Sequence, residues 1–232
     1  MYWVCAWTRY KSRTLCRGWK NGLGSVIPAV AVTDMHSLMQ AQHAASFKKI
    51  LENADLVVTD GFPLVWLGRR KGFPLRRRVY GPELMERFCE ETAAKGYRHF
   101  FYGGAPGVAE HLSARLAARF SGLQTAGVCC PPYRTLTQAE DEEEVSRINE
   151  AQADVVWVGL GAPKQERWMA EHQSRLTAPL LIGVGRRFRF SYGKHRASAS
   201  VDARAWTGMV FSFIALAQLP RLSGQDALFS IA

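Results

Sequence analysis

Between residues 26 and 185, short apolar runs rich in β-branched residues alternate with longer amphipathic stretches, and this alternation constrains the fold more than any other feature. Strand-like runs fall at Val26–Thr33, Asp55–Thr59, His99–Tyr102, Leu123–Val128, Val155–Gly159 and Pro179–Val184. Between them lie segments with apolar residues near a 3.6 period: Ser37–Asn53, Pro82–Lys95, Gly107 to about Phe120, Thr137–Ala151 and Lys164–His172. Gly96 is placed to stop the second of these, and the acidic start of the fourth, Glu140 to Glu144, suits a helix N-terminus. Strand, helix, strand at this spacing predicts βαβ units, and so a parallel sheet in a single Rossmann-like α/β domain. The expected organisation is an atypical N-terminal extension (1–25), the α/β domain (26–185) and an atypical, degraded appendage (186–232).

Ligands of open parallel sheets bind beyond the carboxyl ends of the strands. Three segments are expected there: Thr33–His36, Thr59–Pro63 and Gly159–Glu166. Asp60 ends a strand before Gly61, where it is either a general base or the cap of a following short helix. Thr33 and His36 either bind a sugar or phosphate or form an N-cap pair. Arg69, Arg70, Lys71, Arg76, Arg77 and Arg78 are either diphosphate ligands or a solvated loop. Arg78 is expected to point inward because Val79 and Tyr80 read as packed. The Gly103–Gly104–Ala105–Pro106–Gly107 turn either cradles a phosphate or simply joins strand to helix. Lys164, Gln165 and Glu166 are expected to face the crevice from a helix N-terminus; capping accounts for the Glu but not the Gln.

Charge argues against a nucleic-acid partner. The net charge is +10, but residues 26–185 are neutral and the excess divides between residues 1–25 and 186–232. Five cysteines show neither a CxxC pair nor zinc-like spacing, so the expected state is reduced thiols in a cytoplasmic protein with no metal site. The longest apolar run, Met209 to Leu219, is short of the roughly 20 residues a spanning helix needs, which leaves only peripheral membrane contact.

Five strings in order, ADLVVTDGFPLVW (54–66), RVYGPELM (78–85), FFYGGAPGVAE (100–110), CPPYRTLTQAE (130–140) and VVWVGLGAPKQERWM (155–169), resemble the WecG/TagA/CpsF family, glycosyltransferase family 26. That resemblance implies transfer, with inversion, of an N-acetylhexosamine such as N-acetylmannosamine. The donor would be a UDP-sugar and the acceptor a polyprenyl-diphosphate-linked sugar at the inner face of the plasma membrane, with no cofactor or metal. A homo-oligomer is compatible with it. Asp60 would match the family's proposed catalytic base and Thr33 its catalytic-site threonine. Arg78 and Gln165 would match donor-binding positions, with Gly103, Gly104, Lys164, Glu166 and His36 around them. The family commonly has Asn shortly after the Thr; here the stretch is Asp34–Met35–His36.

After Gly185 the match to the family's strings stops. The chain reads GVGRRFRFSYGKHRASASVDARAWTGMVFSF where the family has small and acidic residues, then Gly-Leu-Glu-Trp and an aromatic. Shifted forward by one base, the codons of Trp206–Thr207 must give Gly and those of Met209–Val210 must give Trp. The expectation is a one-base insertion near the codon of Gly185, leaving a tail unable to close an active site. A catalytically impaired UDP-sugar-binding remnant is the corresponding alternative.

Overall fold

The computed structural model describes residues 29–70, 75 and 77–185. The expectations for the extension, the tail, Lys71 and Arg76 lie outside the described residues. Six strands form one parallel sheet: β1 (Ala29–Thr33), β2 (Leu56–Thr59), β3 (Arg98–Gly103), β4 (Gln124–Cys129), β5 (Val155–Gly159) and β6 (Leu181–Gly183). Their order is β2-β1-β6-β5-β3-β4. Every residue of β1, β5 and β6 is buried, as expected of parallel strands covered on both faces.

Alternate residues of each strand serve opposite faces. Val30, Val32, Phe101, Val155 and Trp157 pack against Leu84, Phe88, Leu112 and Leu116 of α4 (Gly81–Ala93) and α5 (Val108–Arg119). Phe100, Tyr102, Val156 and Val158 meet Val145, Ile148, Trp168 and Met169 of α6 (Gln138–Glu150) and α7 (Lys164–His172). Ala31 faces Ala41, Phe47 and Leu51 of α1 (Met35–His43) and α2 (Ala45–Asn53).

The single helix expected over Ser37–Asn53 is two helices. Ala44, at φ −125° and ψ 95°, ends α1 and opens α2. A straight helix of that length would run about 26 Å. The neighbouring strand of five residues spans only about 17 Å. The bend keeps the crossover over the sheet and lowers Phe47, fully buried, onto Ala31. The turn after Asp60 opens a nine-residue helix, α3 (Phe62–Arg70), with Leu64, Val65 and Gly68 buried. Thr137 caps α6 in a complete capping box with Glu140, its N–H donating to the Glu140 carboxylate at 2.8 Å.

Two buried histidines hold the layers together. His99 accepts from the Trp157 indole at 3.1 Å and meets the Thr92 hydroxyl at 3.1 Å. Thr92 donates to the Phe88 carbonyl, so His99 is the donor toward Thr92 and is neutral. Burial pulls its pKa down to about 4. His172 differs: Nδ1 faces the Trp168 carbonyl at 2.8 Å and Nε2 faces the Asp141 carboxylate at 2.7 Å. Its ring stacks on Trp168, which stacks in turn on Tyr102.

Asp141 also accepts from Arg175 at 2.5 Å. Burial raises its carboxyl pKa, but the bonds from Arg175 and His172 outweigh this and hold it below the ordinary 3.8. Because the folded value is the lower one, the contribution is complete above the unfolded value and is lost as pH falls through the folded value. Asp141→Ala is expected to cost about 2 kcal/mol near neutral pH, the penalty for stranding the buried His172 N–H. In urea melts from pH 7 to pH 3, that difference should shrink toward the acid end.

Candidate functional site

The carboxyl ends of β1, β2 and β6 are joined by a few backbone contacts. Thr33 pairs with Thr59 in register, and Asp60 N–H donates to the Thr33 carbonyl at 2.8 Å. Val79 N–H donates to the Thr59 carbonyl at 2.7 Å, pinning the 78–80 segment beside Asp60. Gly81, next along, lies so close to β6 that a Cβ there would stand 2.9 Å from the Val184 carbonyl oxygen. One edge of the sheet thus gathers Thr33, Asp60, the Arg78 segment and the end of β6.

Thr33 is buried, and its hydroxyl has no hydrogen-bond partner among the described residues. With Thr59, Leu38, Leu51 and Leu64 it lines a small cavity of about 20 Å³. An unmet buried hydroxyl costs about 1–3 kcal/mol. Asp60 is half-buried and precedes Gly61, whose φ of +142° lets the chain turn sharply into α3.

The capping role considered for Thr33 and His36 belongs to neither. Asp34 caps α1, accepting from the Ser37 N–H and the Ser37 hydroxyl, both at 2.8 Å. An Asp three residues before a Ser was the signal for this. His36 is exposed in the first turn of α1 and contacts Gln40 at 2.9 Å.

Arg78 does not point inward. Val79 packs against the core, while Arg78 is exposed with its guanidinium 5.2 Å from the centroid of the Tyr80 ring. The other described cations of the run are engaged locally. Arg69 donates to the Leu75 carbonyl, Arg70 lies over Trp66, and Arg77 pairs with Glu83 at 3.6 Å.

Of the three polar residues opening α7, only Lys164 faces outward, its ammonium 5.9 Å from the centroid of the Tyr133 ring. Gln165 is fully buried and Glu166 nearly so, which corrects the expectation that all three face the crevice. The small residue at Gly183 makes room: a Cβ there would come within 3.0 Å of the Gln165 amide nitrogen. Gln165 Nε2 donates to Glu166 Oε1 at 2.8 Å, and Gln165 Oε1 accepts from Gly185 N–H at 2.8 Å. The amide therefore ties the start of α7 to the chain leaving β6. Glu166 is not a cap; the N-cap of α7 is Pro163, with no side-chain bond. Burial raises the Glu166 carboxyl pKa, nearby Asp34 adds to this, and the Gln165 amide opposes it. Its second oxygen is buried with no partner among the described residues.

Gly103 ends β3 at φ +124° and Gly104 follows it at φ +86°. Gly103 pairs with Gly159 in register, and a Cβ on it would stand 2.7 Å from the Gly159 carbonyl carbon. β3 leads to its right-hand neighbour β4 through α5 on one face, and β5 leads left to β6 through α7 on the other. Their boundary is a switch point of the kind that opens a crevice in such sheets. No group of three or more His, Cys, Asp or Glu suited to a metal ion occurs among the described residues. No helix among them is long and apolar enough to cross a membrane.

Over 165 residues, 71% of this chain, it is 26% identical to the N-acetylglucosaminyldiphosphoundecaprenol N-acetyl-beta-D-mannosaminyltransferase of Bacillus spizizenii. Over 140 residues, 60% of the chain, it is 28% identical to the Staphylococcus aureus protein of the same name. The chain spans 62% and 53% of the lengths of these two relatives. Residues 16–205 match the Glycosyl transferase WecG/TagA/CpsF family, a span that reaches beyond both ends of the 26–185 segment. With most of its length matched and the family's strings lying at the strand ends just described, the chain belongs to the WecG/TagA/CpsF family of glycosyl transferases.

Proposed function

We propose that this chain transfers an N-acetylhexosamine, of the N-acetylmannosamine type, from a UDP-sugar to a polyprenyl-diphosphate-linked N-acetylglucosamine. The observation that carries the reading is the Thr33–Asp60 contact at the carboxyl edge of the sheet, in a chain whose relatives are named for that transfer. Asp60 takes the proton from the acceptor hydroxyl as its oxygen attacks the anomeric carbon from the face opposite the diphosphate. The bond from that carbon to the diphosphate oxygen breaks, UDP leaves with the electron pair, and the anomeric centre inverts. Arg78, exposed next to the β2 edge, supplies a planar guanidinium for the departing diphosphate. Lys164, exposed at the start of α7, adds a second cation. Gln165 keeps the α7–β6 junction in place, and Thr33 stands beside Asp60 as the second candidate catalytic residue, its buried hydroxyl unpaired among the described residues. The lipid on the acceptor places the work at a membrane surface, which the chain would meet peripherally from the cytoplasmic side.

A catalytically impaired, UDP-sugar-binding form is the second reading, favoured by the codon pattern after Gly185. The test is UDP release from a panel of UDP-N-acetylhexosamines with a polyprenyl-diphosphate-N-acetylglucosamine acceptor. The chain is run beside a version with the one-base shift restored. Acceptor-dependent release by this chain supports transfer. Release only from the restored version, with donor binding by both, supports the impaired reading. Release from neither overturns the assignment.

A further inference from the structure

A second concavity opens at the same edge of the sheet, between the α1–α2 junction and the start of α7, with a volume of about 460 Å³. That is within the roughly 300–1,000 Å³ of small-molecule sites. Met39, Ala44 and Pro163 give it apolar walls, and Arg167, His36 and His43 stand on it; no carboxylate lines it. Met39 is half exposed and adds to the apolar wall. Arg167 is exposed, lies over the Phe47 ring at 5.9 Å and makes no ion pair among the described residues. Its guanidinium therefore keeps its donors for an oxyanion.

Two features fix the groove's relation to the reacting edge. His36 follows Thr33 by three residues, and Pro163 follows the end of β5 by four. His36 and Pro163 thus bring one end of the groove near the carboxyl ends of β1 and β5.

We propose that this groove holds the diphosphate and the first isoprene units of the lipid-linked acceptor, with Arg167 on the diphosphate and Met39 against the chain. The inference rests on the proposed transfer for its choice of occupant. It follows from charge complementarity: an anion attached to an apolar chain matches a guanidinium beside an exposed methionine. The groove is then an acceptor subsite separate from the donor site at Arg78.

The test is calorimetric titration of the full chain with farnesyl diphosphate, which carries the diphosphate and the isoprene units without the sugar. Binding is expected, and UDP should not displace it. Arg167→Glu should weaken it by at least about tenfold, the scale of one lost charge-assisted contact. Arg167→Lys should retain most of it. Met39→Asp should weaken farnesyl diphosphate while leaving inorganic pyrophosphate almost unchanged. Both positions are exposed, and circular dichroism of each variant confirms the fold. No binding to the parent chain, equal binding by Arg167→Glu, or displacement by UDP would overturn the proposal. Titration with UDP-N-acetylhexosamine in the same variants keeps the two readings apart. Donor binding without farnesyl diphosphate binding sinks the groove alone; farnesyl diphosphate binding without UDP release leaves the groove and removes the transfer.

Discussion

Asp60→Asn is expected to lower acceptor-dependent UDP release by about 10³-fold, the middle of the range for loss of a general base. The amide keeps the size of the carboxylate and leaves the backbone bond from Asp60 N–H to the Thr33 carbonyl in place, so the strand edge should not move. The loss should therefore appear in kcat, with the donor KM changed by less than about threefold, since the group acts on the proton that moves in the transition state. The experiment compares steady-state UDP release for the two chains, using whichever version of the tail proves active. A loss that falls instead on donor KM would make Asp60 a binding group. Unchanged turnover would remove it from the chemistry.

The largest expected stability effect comes from a residue first considered as a phosphate cradle. Gly103→Ala is expected to cost about 4 kcal/mol. The φ of +124° contributes about 1–3 kcal/mol of strain for any side chain, and forcing a methyl into a packed position adds about 1–3 kcal/mol. The contact is with backbone: the new Cβ would stand 2.7 Å, 2.9 Å and 3.0 Å from the carbonyl carbon, oxygen and Cα of Gly159. β3 and β5 are paired in register there, so neither strand can retreat without breaking the ladder. Gly107→Ala is the control. It shares a left-handed φ, +82°, but has nothing within 4 Å of its Cβ, so it should cost only about 1–2 kcal/mol. Urea denaturation of both variants separates clash from backbone strain. If Gly103→Ala proves as mild as Gly107→Ala, the glycine is there for a ligand and not for strand packing.

Much of the architecture was legible because it is written in local pattern. The runs at 155–159 and 164–172 became β5 and α7 with the boundaries expected from apolar content and the Pro at the turn. α6 begins where Thr137 and Glu140 can cap each other, and α4 ends near Gly96, whose φ is +72°. The break at Ala44 left no such trace, because no Gly or Pro marks it; the length of the neighbouring strand imposes it.

The candidate site divides in the same way. That Thr33, Asp60 and the Gly159–Glu166 segment end their strands followed from the chain alone, since where an apolar run stops is a local property. Their neighbourhood did not. Insertion of β6 between β1 and β5 is a pairing of residues more than a hundred positions apart, and it is this that places Gly185 against Gln165 and Val184 against Gly81. The burial of Gln165 and Glu166 and the different partners of His99 and His172 depend on distant elements. Periodicity determined which residues form strands and helices and which strand ends carry polar groups. Only the packed sheet decided which of those groups are exposed and which are buried, because burial and hydrogen-bond partnership belong to the assembled neighbourhood and not to any one segment.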